Sequence, residues 1–275
     1  RDLTINAIAR APDGTLIDPY GGQKDLANRR LRHVSDAFTE DPLRILRLAQ
    51  FQARLKGLGF TVDDQTIRLC REMVARGDLD TLSRERVFKE LEKALNAPHP
   101  SDFFAVLASV NALTRIFQGV QLAETKNLDG PATDTSAASR LSQLVLENPD
   151  LDLQALNKQL AIPKHWLELA GMTRTWAAAF CQVTTLRADA ILEILERGDA
   201  RRKPVRFAQS VHISCQSLVI DSAEQARILE NWQRLVQETA KVTLPETAGG
   251  LTGQEIKAMI RAEQLRRIEA TCDRL

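Results

Sequence analysis

The stretch Glu40-Asp41-Pro42-Leu43-Arg44-Ile45-Leu46-Arg47 places a carboxylate and two guanidinium groups where a turn gives way to an apolar pattern of helical period. Asp41 and Arg44 are three residues apart, so on a helix they stand on one side of its first turn, an acceptor beside a donor. Cytosine and adenine each present an exocyclic amine next to an unprotonated ring nitrogen, and such a pair can meet either base. Guanine and uracil present the reverse order and would leave desolvated polar groups unpaired, which rejects a ligand strongly. A good bidentate base contact is worth about 1 to 3 kcal/mol of discrimination. The same residues also suit a purely structural role, with Asp41 as N-cap, Pro42 at N1 and both arginines on a solvated face. Taken alone, the stretch favours that second role.

The elements that must position this stretch change in texture near Phe38. Before it lie the only segments of strand character, residues 3–8 and 16–18, which read as a hairpin around the turn pair Asp13-Gly14. A turn-rich run, Pro19 to Gly22, follows, and then residues 31–34 as one more short strand. From Asp41 onward apolar residues return every three or four positions, predicting helices over 42–55, 64–76, 84–96 and 101–117. Gly57, Gly59, Gly77, Pro98 and Pro100 punctuate them. Residues 126–136 form the best boundary between halves, and further helices are predicted over 137–147, 153–160, 164–182, 188–196, 223–242 and 252–274. The interruption at 245–250 sets off the last of them. The fold class is therefore mainly α, a small β remnant followed by a long helical body.

Bulk composition excludes several function classes. A chain of 275 residues with 44% hydrophobic content can bury more than one core. Neither a membrane span nor a signal-peptide pattern is legible, so a cytoplasmic location is expected. Cys70, Cys181, Cys215 and Cys272 form no C-x-x-C pair and read as ordinary thiols. The balance of 37 basic against 36 acidic residues gives no global case for nucleic acid, and 5% aromatic content argues against a base-stacking platform. Any RNA-facing surface must be local.

Read together, several motifs resemble one family. Arg1-Asp2-Leu3-Thr4-Ile5-Asn6-Ala7 looks like its R-R-D-x-x-x-N-A motif; Asp18-Pro19-Tyr20-Gly21-Gly22 with Asp25-Leu26 and Leu31-Arg32-His33-Val34 resembles the stretch that follows; and Glu40 to Arg47 matches E-D-x-x-R-x-x-R in order and distance. The family is the class II, bacterial-type tRNA nucleotidyltransferases, or CCA-adding enzymes, with bacterial poly(A) polymerases as close relatives. The dense match covers residues 1–117.

The resemblance implies a remnant of the nucleotidyltransferase head at 1–38, a helical neck carrying the nucleotide-selecting motif at 39–125, a helical body at 126–245 and a tail helix at 246–275 with a possible tRNA contact. It implies addition of CMP and AMP from CTP and ATP to the tRNA 3′-hydroxyl, with tRNA as partner, no membrane and Mg²⁺ as cofactor. The alternatives are a poly(A) polymerase or a noncatalytic RNA-binding module. Arg1, Asp2 and Asn6 would order the nucleotide pocket, Asp41 and Arg44 would read the base edge, and Arg47 would approach the triphosphate or the pocket wall. Arg84, Arg86 and Glu90, on the helix after Ser83, would brace the template residues, although surface charge pairs explain each of them equally well.

Two departures qualify this. Gln50 stands where the family continues with arginine, so one cationic contact is expected to be lost. Phosphoryl-type transfer also needs metal-binding carboxylates. Asp78-Leu79-Asp80 and Asp150-Leu151-Asp152 lack the Gly-rich strand context that the family gives such a pair, so no metal ligand is expected within this chain. Arg1 opens inside what reads as an ordered element, so the catalytic residues are expected upstream of it and the chain alone is expected to be inactive. No histidine among His33, His99, His165 and His212 is followed by Asp, which argues against the family's optional metal phosphohydrolase domain.

The second half is less informative. Trp166, Trp176, Phe180 and Trp232 read as core anchors. Arg201, Arg202 and Lys203 with Arg206 form the best basic patch, and Arg261, Arg266 and Arg267 decorate the last helix. A solvated face is the ordinary reading of both clusters. The resemblance implies instead that Arg201, Arg202, Lys203, Arg261 and Arg266 grip RNA phosphates.

Overall fold

The structure, a computed structural model, describes residues 1–130, 135–243 and 252–274. The interruption expected at 245–250 lies outside the described residues, as do positions 131–134 of the expected boundary. Two compact units are present, Arg1–Leu167 and Glu168–Leu275, a coarser division than the four segments expected from the sequence. No helix among the described residues is long and apolar enough to cross a membrane.

The first unit opens with a 3-10 turn at Thr4–Asn6, then β1 (Ala9–Arg10), β2 (Leu16–Ile17), α1 (Gly22–Ala27) and β3 (Arg30–Leu31). It continues with a second 3-10 turn at Asp36–Glu40, α2 (Leu43–Leu55), β4 (Thr61–Val62), α3 (Asp64–Ala75), α4 (Arg84–Leu95), α5 (Pro100–Ser109), α6 (Leu113–Ile116), α7 (Ala137–Glu147) and α8 (Leu153–Leu160). α9 (Lys164–Cys181) begins in it. The second unit holds the rest of α9 and α10 (Ala188–Arg197), α11 (Pro204–Ser217), α12 (Ser222–Ala240) and α13 (Gly253–Cys272). The mainly α class and small β content are as expected, with β1 antiparallel to β2 and β3 parallel to β4.

Three local expectations are corrected. The strand expected at 3–8 is a 3-10 turn at Thr4–Asn6 with a single bridge at Leu3, and the first strand of the hairpin, β1, falls just after it at Ala9–Arg10. The single helix expected over 101–117 is two, α5 and α6, broken where Asn111 adopts φ 62°, a left-handed conformation that asparagine tolerates. α11 was not expected at all; it opens on Pro204, which sits in the first turn of the helix, where its missing N–H costs nothing.

α2 is the central strut of the first unit. Its core face, Ile45, Leu46, Leu48, Ala49 and Ala53, is fully buried and packs chiefly against α5 and α4. Beneath it Phe103, Phe104 and Phe117 meet edge to face, with ring centroids 5.3 to 6.1 Å apart. Trp166 packs on Phe88 of α4 at 5.3 Å. In the second unit Phe180, Phe207 and Trp232 form a closed aromatic triad at 5.3 to 5.7 Å, and the Trp232 indole donates to the Phe180 carbonyl at 2.9 Å. Trp176 is only half-buried.

Candidate nucleotide site

The site is a cleft of about 560 Å³ in the first unit, lined by Arg1, Asp2, Asn6, Asp41, Arg44, Arg47, Phe51, Arg54 and Arg86 together with Leu43. One wall is the turn at Thr4–Asn6, which is anchored from behind. The Thr4 N–H donates to the Arg32 carbonyl at 2.9 Å, the Val34 N–H donates to the Asp2 carbonyl at 3.2 Å, and Leu3 bridges to His33. The buried Thr4 hydroxyl donates to Asp25 at 2.6 Å, and Arg32 donates to the same oxygen at 2.9 Å. Asp18 accepts from the N–H groups of Gly22 and Gln23 at 2.7 and 2.9 Å, opening α1, while a Cβ on Gly22 would run into the Thr4 carbonyl oxygen. The Asp-Pro-x-Gly-Gly stretch thus does scaffold work, holding the wall in place from outside the cleft.

Asp2 is the buried hub of that wall, 3% exposed. Its Oδ1 accepts from the Leu3 N–H at 2.9 Å and from Asn6 at 3.1 Å, and its Oδ2 accepts from Arg47 Nε and Nη2, both at 2.7 Å. Burial pushes its carboxyl up, but the hydrogen bonds from Asn6, Leu3 and Arg47 and the Arg47 charge outweigh it and hold it below the usual carboxylate range. A depressed folded-state value means stability that is present above the unfolded value of about 4 and is lost as pH falls through the folded value. Thermal unfolding of the wild type and Asp2→Asn should therefore differ at pH 7, and the difference should shrink steadily below about pH 4. A difference independent of pH would contradict the ionised hub.

The other wall is the exposed stripe of α2. Arg44, Arg47, Phe51 and Arg54 recur at i, i+3, i+7 and i+10 and all line the cleft. Asp41 lies just before this helix. Its Oδ1 accepts from the Leu43 N–H at 3.1 Å, and its Oδ2 accepts from Arg86 of α4 at 2.7 Å. One Asp41 oxygen is thus taken by the backbone at the start of α2 and the other by Arg86. Arg44 donates through Nη1 to the Ala37 carbonyl, and it lines the same cleft. Five arginines face two aspartates here, so the cleft attracts a polyanion.

Arg84 and Glu90 lie elsewhere. Arg84 donates to the Asn157 carbonyl at 2.9 Å, and Glu90, 4% exposed, accepts from Lys93 at 2.7 Å. Gln50 is buried on the core side of α2, whereas Arg54, one turn further, lines the cleft with its guanidinium 5.0 Å from the Phe51 ring centroid. Sequence reading did not single out Arg54; its signal was the helical spacing from Arg44 and Arg47.

In the second unit Arg201, Arg202 and Arg261 line one cleft of about 970 Å³ with Lys257. Arg202 is paired to Asp199 at 2.7 Å, Lys203 to Glu168 at 3.1 Å and Arg261 to Glu196 at 3.0 Å. Arg266 lines a separate, smaller cleft and grips Glu263 with two bonds of 2.8 and 2.9 Å. The bonds from Arg266 and Arg267 push the Glu263 carboxyl down to about 2.

The described residues do not fit a catalytic metal at the nucleotide cleft, since Asp2 and Asp41 are each bound by a guanidinium. Asp78 pairs with Arg76 at 2.8 Å, and Asp152 caps α8. His99, Asp102 and Asp129 do bring ligand atoms within 4.8 Å of one another, but Lys56 sits 3.3 Å from Asp102 and Ser101 occupies both oxygens of Asp129.

A model of the poly A polymerase head domain matches residues 1–32, and one described as a probable RNA and SrmB-binding site of polymerase A matches 59–123. Both belong to nucleotidyltransferases, which generally use a divalent metal. Among curated relatives, the Multifunctional CCA protein of Pseudomonas putida is 37% identical over 98% of this chain and 74% of its own length. A CCA-adding enzyme of Coxiella burnetii is 35% identical over 82% of this chain and 60% of its own length. The chain belongs to the CCA-adding enzyme family. Its fold is that of the Bacillus stearothermophilus CCA-adding enzyme in complex with CTP, with a TM-score of 0.75 at 22% identity over 98% of this chain and 68% of that one. The Thermotoga maritima CCA-adding enzyme complexed with tRNA matches at a TM-score of 0.62 and 19% identity, again over 98% of this chain and 68% of that one.

Proposed function

We propose that this chain selects nucleotides for CCA addition and repair at tRNA 3′ ends, with CTP and ATP as donors of CMP and AMP. The observation that carries the reading is one cleft holding Asp41 and Arg44 beside a cluster of cations. Asp41 accepts the exocyclic amine of cytosine or adenine, and Arg44 donates to the neighbouring ring nitrogen. Arg86 fixes the Asp41 carboxylate, leaving lone pairs for the base. Arg47, held by Asp2, and Arg1 face the triphosphate, while Asn6 steadies Asp2. No bracing role is assigned to Arg84 or Glu90, whose hydrogen bonds go to other groups. Mg²⁺ is the divalent ion for the transfer, and none of the described residues is assigned to it. The reaction belongs to the cytoplasm, where tRNA is its partner.

Arg201, Arg202 and Arg261 in one cleft, with Lys203 and Arg266 nearby in sequence to that set, are assigned to RNA phosphates. Each phosphate-binding cation that is removed should lower the salt dependence of tRNA binding uniformly across sequences. Arg54 is assigned to the triphosphate. Arg54→Gln should weaken CTP and ATP alike by roughly fivefold, a surface charge pair of ~1 kcal/mol, and leave the preference for C and A over G and U unchanged. A change in that preference would place Arg54 at the base instead.

The reading is tested by incubating the full-length protein with tRNA lacking its terminal CCA, with each nucleotide separately and with CTP and ATP together. Addition of C residues from CTP alone, of A after them when both are present, and refusal of GTP and UTP are expected. Incorporation of A alone onto any RNA would overturn it in favour of a poly(A) polymerase.

A further inference from the structure

In the second unit, Cys181 ends α9 and Cys215 lies in the last turn of α11, 34 residues away, yet their Sγ atoms are 3.6 Å apart and unlinked. The approach is held by the packing around it. Phe180 meets Phe207 at 5.3 Å, and the hydroxyls of Thr173 and Ser210 meet at 2.8 Å, so the same two helices are fastened twice more. The sulfurs differ in access: Cys181 is partly exposed and Cys215 is fully buried. We propose that Cys181 and Cys215 are a thiol oxidation site that closes into a reversible intramolecular disulfide, with Cys181 as the sulfur that meets a peroxide first.

The geometry asks little of the fold. A disulfide needs its sulfurs about 2.0 Å apart, and side-chain rotation can close most of the remaining gap. The two thiols are also divided in role. The hydrogen bond from Cys215 draws the Cys181 thiol down and so enriches its thiolate, the form that reacts with peroxide. That bond, together with burial, pushes the Cys215 thiol up. In the first step the Cys181 sulfur attacks a peroxide oxygen, the O–O bond breaks, a sulfenic acid forms and water leaves. The Cys215 sulfur then attacks the Cys181 sulfur, the S–O bond breaks, and the hydroxyl leaves as water with the Cys215 proton. Two thiols lose two electrons, and one peroxide becomes two waters. A dithiol reductant reverses the link, as a reducing compartment requires.

The other two cysteines lack this arrangement. Burial pushes the Cys70 thiol up to about 12, and Cys272 is likewise raised by burial and by the neighbouring charges of Asp273 and Glu269. Neither is within bonding reach of another sulfur in the contacts described. The closed loop would contain α10 and the basic residues Arg201, Arg202 and Lys203, so oxidation constrains the segment that carries them.

The test treats the chain with hydrogen peroxide, removes the excess, alkylates remaining thiols in denaturant and maps peptides without reduction. A linked pair containing Cys181 and Cys215, with Cys70 and Cys272 still alkylated and full reversal by dithiothreitol, is expected, as is an upward shift of the thermal midpoint in the oxidised chain. Cys181→Ser, at the more exposed position, should abolish both the link and the shift and leave Cys215 alkylatable. Over-oxidation of Cys181 with Cys215 still free would overturn the proposal. So would a link to Cys70 or Cys272, or four alkylatable thiols after treatment.

Discussion

Asp41→Ala is expected to bring the affinities for GTP and UTP to within about threefold of those for CTP and ATP, erasing a preference of roughly ten- to a hundredfold. On the proposed reading, the preference rests on a carboxylate that accepts from the base amine. Without it, cytosine and adenine lose their partner, and guanine and uracil no longer face an acceptor opposite their carbonyl oxygen. Asp41→Asn separates charge from recognition: the amide can turn a donor toward the base, so GTP and UTP should gain relative to wild type. Affinity for tRNA at fixed salt should stay unchanged in both variants, because the cations proposed for its phosphates lie in the second unit. Equilibrium binding of the four nucleotides checks this, and intact C and A preference in Asp41→Ala would remove the template assignment. Loss of the Leu43 capping bond should cost only about 1 kcal/mol, so the fold survives to be measured.

The second large effect is on stability. Arg140 of α7 is 2% exposed, and its guanidinium donates to the carbonyls of Leu95, Ala97 and Gly130 at 2.7, 2.6 and 2.7 Å. Burial draws its pKa down and Asp129 opposes that shift. These bonds tie α7 to the end of α4, the helix that carries Arg86 and so the brace of Asp41. Arg140→Met should strand buried carbonyls and cost about 3 kcal/mol, and Arg140→Lys should recover only part, since a point ammonium cannot span the three acceptors. Urea unfolding of the chain measures it. A loss below about 1 kcal/mol in the methionine variant would show that the carbonyls find other partners.

α2 and the cleft-facing stripe on it were legible because two local signals coincide: Asp41-Pro42 punctuates the start, and the apolar period runs unbroken to Leu55. Asp41, Arg44 and Arg47 share one face by spacing alone. The pairings that fix them were not legible. Arg86 reaches Asp41 and Arg47 reaches Asp2 across 45 residues each, and nothing in local spacing chooses Arg86 over Arg84 on the same helix. Gln50 shows the same limit, since a substitution read as a lost cation is buried in the core while Arg54, one turn on, lines the cleft. In the fold, α11 was missed, and α5 and α6 were merged into one helix because an asparagine that turns left-handed leaves the apolar pattern around it intact. The nearness of Cys181 and Cys215 likewise arises from the packing of α9 on α11 and has no trace in their spacing.

The most direct measurement is a crystal structure of the chain with CTP bound. The cytosine amine should lie ~3 Å from the Asp41 carboxylate and the ring nitrogen should face the Arg44 guanidinium, with the Ala37 carbonyl released and the triphosphate against Arg47 and Arg54. A base seated elsewhere, with Asp41 engaged only by Arg86 and Leu43 and Arg44 still on Ala37, would contradict the central claim.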